Sequence, residues 1–218
     1  MNEKVRFRLP IKWWMIILIF TLYVVGFILY HKLPDMVPNH WNMAGEVDGY
    51  MAKESFIIFF PSLILGLYLL MSLAPMIDPR SDNYKKFKGV FEGFRVLIVL
   101  VMIVLYLTSI LFALGIPVPI GKVVMLSVGI LWVFIGNYFG KVRFNYTFGI
   151  RTPWTLASEE VWNKTHRVSG PLWVAAGIIM MLSIFIPDKP AFIIDMTAIA
   201  ITGIYGFIYS YWLYNKLK

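Results

Sequence analysis

The sequence predicts an all-α polytopic membrane protein of about six transmembrane helices, with both termini cytoplasmic and a structured first extracellular loop. Three observations predict it. Of 218 residues, 59% are hydrophobic and only 15% charged, a balance foreign to soluble domains. Six apolar runs recur, each near the ~20 residues a helix needs to cross the hydrocarbon layer. Sixteen of the 20 Lys and Arg residues fall on one side of the resulting topology, and that side is read as cytoplasmic because basic loops stay inside. The protein has no cysteine, which excludes disulfides, Cys-ligated zinc and thiol nucleophiles. Its net charge of +8 therefore reads as topology and not as a nucleic-acid surface; no direct nucleic-acid partner is expected.

The elements follow in order. Lys4, Arg6, Arg8 and Lys12 precede an apolar run from Trp13 to about Tyr30. That run is too long for a signal peptide and lacks a small-residue cleavage site, so it reads as an uncleaved span. Further runs lie at 55–77, 94–115, 122–140, 171–187 and 192–214. The fifth is the shortest. Gly170 and Pro171 should break it from the helix before it, with Ser169 capping its start. Trp13, Trp14, Tyr30, Tyr138, Tyr211 and Trp212 crowd the ends of the runs, where amphipathic rings favour the headgroup layer. Lys85, Lys86 and Lys88 form a cluster suited to orientation and to anionic headgroups, or to docking a cytoplasmic partner.

The first outer loop, 32–54, holds Pro34 and Pro38, which stiffen it, and the turn formers Gly45 and Asp48-Gly49. Its ligand-binding candidates are His40, Trp41, Asn42, Asp48 and Tyr50. Aromatic rings beside an acidic group suit a cationic or amphipathic peptide. His31, His40, Glu46 and Asp48 are ligand types for a metal, yet their spacing matches no zinc pattern. The alternative is a loop whose His40 and Asp48 are satisfied by internal hydrogen bonds. No metal or cofactor is assigned.

The densest chemistry lies in 141–170, between the fourth and fifth runs. Thr152 and Pro153 can open a helix, because proline tolerates only the first turn, and Gly149 before them permits a tight turn. From about Thr155 the chain reads as an amphipathic helix. Glu159 and Glu160 then sit at its start, where the dipole favours negative charge, and Lys164 and Arg167 lie near its end. Glu160 and Lys164 are spaced to pair, which contributes only about 0.2–0.5 kcal/mol. Trp162 and His166 share a face that would lie on the membrane surface or on neighbouring loops.

Gly136-Asn137, the block GIRTPWTL from Gly149 to Leu156, and then Val161, Trp162, Thr165, His166 and Arg167 resemble the signature of the SdpI family of integral membrane proteins. A second series, Pro38, His40, Trp41, Asn42, Gly45, Asp48, Gly49, Tyr50 and Lys53, resembles a small domain of unknown function common at the N-terminus of such proteins. Phe144 departs from the pattern at a position where many relatives carry proline. The resemblance implies a two-helix membrane domain over 1–93, with its extracellular loop, and an SdpI-like four-helix domain over 94–218. It also implies immunity to a secreted antimicrobial peptide toxin at the bacterial cell membrane. A further implied role is holding a transcriptional repressor at the inner face when the toxin is present.

Two readings of the signature loop stay open. It is a packed element that fixes the spans around it, or Asn137, Gly149, Arg151, Thr152, Pro153, Trp154, Trp162, His166 and Arg167 form a cytoplasmic partner-binding face; Arg and Trp are enriched at interface hot spots. No motif supplies a nucleophile for His40 or His166, so no catalytic residue is assigned. All six runs lack a midplane charge, which argues against a proton-coupled pump. A transporter or flippase of a neutral or lipid-like molecule remains the alternative, since broken helices can offer backbone groups instead.

Overall fold

In a computed structural model, which describes residues 10–218, the chain forms six long membrane-crossing helices, one short helix and a β-hairpin. The basic residues at positions 4, 6 and 8 lie outside the described residues. Helix α1 (Trp13–Leu29) leads into strands β1 (Met36–Trp41) and β2 (Val47–Ala52). Helices α2 (Lys53–Ile77), α3 (Lys88–Ala113) and α4 (Ile120–Tyr138) follow. The short α5 (Pro153–Ala157), then α6 (Glu159–Leu182) and α7 (Asp188–Lys216), complete the fold. The hairpin sits at one end of the bundle and the 141–158 segment at the other.

The structure corrects three sequence expectations. Asp48-Gly49 is not the turn: both residues lie in β2, where Gly49 faces His40 at a bulged register. The turn is Asn42–Glu46, closed by Gly45 N–H to Asn42 O (3.0 Å) with Gly45 at φ +77°. Second, α3 begins at Lys88, ahead of the apolar run at 94–115. Third, α6 is not broken at Gly170-Pro171, and Ser169 caps nothing; Ser158 caps the helix, accepting from Val161 N–H. A proline inside a helix forfeits one backbone bond. The helix tolerates it because Gly170 gives close contact: a Cβ there would stand 2.7 Å from the Gly136 carbonyl of α4. Gly129 and Gly177 meet in the same way farther along. Two glycine pairs thus bring the α4 and α6 backbones together, the small-residue packing that membranes favour.

Side chains sort the helices into three cores, one of them an aromatic cluster at the signature end that includes Tyr84, Phe91, Phe139, Phe144 and Trp162. Met15, Ile19, Phe56, Ile64, Tyr68, Val99, Tyr106 and Ile110 pack α1, α2 and α3 under the hairpin. Ala176, Met180 and Ala198 pack α6 on α7, with Trp132 of α4 against them. Trp132 stacks on Trp173 (4.9 Å) and donates to the Thr202 hydroxyl (3.3 Å), tying α4 to α6 and α7. Arg95 is fully buried in the N-terminal half of α3. It donates to Ser72 Oγ (2.6 Å) and Pro10 O (3.1 Å), so its charge is shared among three segments.

Candidate functional site

At the signature end, Thr152 accepts from Thr155 N–H (3.2 Å), while Thr155 Oγ1 accepts from Thr152 N–H (2.9 Å). This reciprocal cap starts α5 where Pro153 expects a start, and its two hydroxyls satisfy amides that would otherwise be orphaned. Thr152 also shares a hydrogen bond with Ser210 (2.9 Å), which anchors the block to α7. Trp154 adds ring contacts to Phe207 and Tyr211, each at 4.9 Å. Glu160 and Lys164 pair at 2.7 Å, as their spacing predicts.

Trp162 and His166 point inward and are 0% and 1% exposed. Trp162 Nε1–H donates to Val142 O (3.0 Å). His166 Nε2 accepts from Ile150 N–H (2.9 Å), so Nδ1 carries the proton and donates to Trp162 O (2.8 Å). That pattern defines a neutral imidazole in one tautomer. Burying the indole, roughly 200 Å², is worth about 5 kcal/mol by area, ten times the Glu160–Lys164 pair. The indole therefore anchors the loop to α6. Gly149 fits above it at φ +120°, and a Cβ there would come within 2.4 Å of His166 Nε2. Thr152, Trp162 and His166 are thus buried and shape the loop from inside.

A second layer, which no motif pointed to, holds the loop to the α2–α3 connection. Asn145 is fully buried and makes five hydrogen bonds. Its amide donates to Arg143 O (2.8 Å) and Phe148 O (2.9 Å). Its oxygen accepts from Thr147 N–H (2.9 Å), Phe148 N–H (2.7 Å) and the Tyr84 hydroxyl (3.2 Å). Asp78 accepts from Tyr146 N–H (2.8 Å), Arg80 N–H (2.8 Å) and Tyr84 (3.0 Å), and Tyr84 also meets Thr147. Burial, with the Asp78 carboxylate adding to it, pushes the Tyr84 phenol well above its ordinary range, so it stays a donor. Phe144, the departure from the family pattern, is buried between Trp162 (5.4 Å) and the Arg80 guanidinium (3.6 Å). It fills this site with an aromatic ring.

The exposed signature residues fall into two groups. Arg151 is held by a hydrogen bond to Tyr146 O (2.9 Å) near the exposed Pro153 and half-buried Trp154. Asn137 and Arg167 share a shallow groove between α4 and α6, floored by Gly136 and Gly170. In the lysine cluster, Lys85 pairs with Asp82 and Lys86 with Asn83.

At the hairpin end, Asn42 Oδ1 accepts from Ala44 N–H (2.8 Å) and Glu46 N–H (3.1 Å), which builds the turn. His40 bonds Asp48 across the strands, and both are exposed. Glu46 is engaged by Asn42 (3.0 Å), so the acids beside His40 have protein partners. Tyr50 is 55% exposed, whereas Trp41 turns down against Phe112 of α3 at 5.9 Å. Trp41, His40 and Asn42 line a cavity of about 360 Å³ under the hairpin; Asp48 and Tyr50 do not. Asp188 and Asp195, seven residues apart on one face of α7, line it too. They are the residues sequence reasoning missed at this end. Their spacing, two turns on one helix, was the available signal.

Residues 141–210 match the SdpI/YfhL protein family, and residues 16–65 match a domain of unknown function, DUF1648. The chain is similar to the immunity protein SdpI of Bacillus subtilis (strain 168), at 27% identity over 203 residues, covering 93% of this chain and 95% of the relative. No solved structure matches it.

Proposed function

We propose that this chain, whose residues 141–210 match the SdpI/YfhL protein family and which is similar along most of its length to a Bacillus immunity protein, is a bacterial multi-pass membrane protein that gives immunity against an extracellular peptide toxin, with the hairpin as the receiving end. One observation carries the reading: the similarity to the Bacillus immunity protein runs through both the hairpin and the signature loop. The charge split puts the hairpin outside. There, Tyr50, the His40–Asp48 pair and Asp35 are open to solvent, and they suit an amphipathic, cationic peptide. Inside, Arg151 with Trp154, and Asn137 with Arg167, are the groups a soluble repressor would grip. A ligand coupled across the membrane must bind two helix arrangements unequally.

The test is survival of a sensitive bacterium expressing the protein and challenged with the secreted killing peptide, beside Arg151→Ala and His40→Ala at matched membrane abundance. Wild-type protection that His40→Ala removes is the expected result. Absence of protection at normal abundance defeats the proposal. Repressor capture is read separately, as loss of membrane recruitment in Arg151→Ala.

A further inference from the structure

The cavity beneath the hairpin is closed by α3, α4 and α7, and its volume is on the scale that holds a small ligand or a few side chains. Its walls are largely apolar, with Met102, Tyr106, Met125, Phe192 and Ile199 among them. Against those walls stands Asp195, which is 5% exposed, with Oδ1 buried and without a hydrogen-bond partner. Among the described residues, none of the ion pairs includes Asp195. Trp41 Nε1–H, on the hairpin side, is likewise buried and unpaired. Asp188 marks the upper rim beside Gly45.

Native interiors pair their buried polar atoms, so an orphaned carboxylate oxygen on a residue that lines a cavity marks a place for a missing donor. The lining limits that donor. An anion would meet two carboxylates, and a neutral apolar ligand would leave Oδ1 unpaired. A compact cation on an apolar stem satisfies both the wall and the acid. We propose that this cavity binds a protonated amine carried on an aliphatic chain, as in a lysine side chain of an amphipathic peptide, with Asp195 Oδ1 accepting from the ammonium. The peptide source rests on the immunity reading above; the amine chemistry rests on the cavity alone. Asp188 would draw the cation to the rim, and the hairpin, carrying Trp41, forms the cover that contact with the ligand would displace.

The experiment uses the full chain in phosphatidylcholine nanodiscs and compares binding of n-hexylammonium with that of hexan-1-ol by calorimetry. The expected result is at least a tenfold preference for the ammonium. Asp195→Asn should abolish that preference, and Asp188→Asn should keep most of it. Val128→Phe, which fills the cavity and leaves the carboxylate in place, should weaken both probes at least tenfold; this arm holds even if the Asn variant fails to fold. Equal binding of the two probes to wild type, or a preference that survives Asp195→Asn, overturns the proposal, as does unchanged binding in Val128→Phe. The survival assay separates this inference from the function it rests on. Amine preference in a protein that protects no cell keeps the cavity and sinks immunity, whereas protection without amine preference keeps immunity and sinks the cavity.

Discussion

The two ends of the bundle solve opposite problems. Within residues 142–158, no buried side-chain polar atom lacks a partner; Asn145 alone makes five hydrogen bonds. At the hairpin end the ionic contacts lie on the outside, as His40 with Asp48 and Lys53 with Asp35. Inside it are open volume and two orphaned polar atoms. The 142–158 loop is therefore self-contained, and the buried hydroxyls of Thr165 and Ser169 that lack partners lie beyond it on α6, whereas at the hairpin end the unpaired groups belong to residues that line a cavity. The signature loop is packed by its own side chains, and the amine site proposed above lies at the opposite end of the bundle.

Substitutions sharpen that contrast. The largest effect is expected from Gly149→Ala, which combines a positive φ with a clash against His166 and Trp162. It should destabilise the protein by more than about 3 kcal/mol, read as lost membrane abundance and a lower melting temperature in detergent. Gly45→Ala at the hairpin also sits at positive φ but meets only an Asp188 carboxylate; its cost should be about 1 kcal/mol. Equal costs would break the comparison. Next, Asn145→Ala strips partners from Phe148, Thr147 and Tyr84 and should cost about 2–4 kcal/mol, visible as faster amide exchange confined to 143–150. His40→Ala and Asp48→Ala should each change stability by at most about 1 kcal/mol, because exposed pairs are weak, yet His40→Ala should remove protection. The smallest effect concerns Asp35, whose carboxyl the Lys53 hydrogen bond holds below the usual range. The contribution of a depressed acid is present above its unfolded value and lost as pH falls through the folded one. A carbon-13 titration should show the Asp35 carboxyl charging at lower pH than a free aspartate, and Lys53→Met should return it to the ordinary range.

Much of this was legible from the chain. The six spans followed from hydropathy and length, and the α5 start from Thr152-Pro153. What resisted reading was tertiary. Gly170-Pro171 carries local signals for a break, but the close approach to Gly136 overrides them with packing that no window of sequence contains. Asp48-Gly49 is a strong turn signal, yet Asn42 closes a tighter turn earlier and leaves Gly49 to let the strands approach at His40. Asn145 and Asp78 bond mostly to their own sequence neighbours, but the links that join their two segments, Tyr84 to Asn145 and Tyr146 N–H to Asp78, span more of the chain than any local pattern covers. Trp162 and His166 were correctly placed on one helix face, but periodicity does not say what covers that face.

The two glycine contacts between α4 and α6 also bear on mechanics. A single point of backbone contact leaves two rods free to swivel, but here there are two, at Gly136–Gly170 and Gly129–Gly177, spaced about 10 Å along the axes. Two contacts fix a line, and backbone against backbone leaves no side-chain slack to absorb a push. The pair therefore behaves as a single strut joining the hairpin end to the signature end.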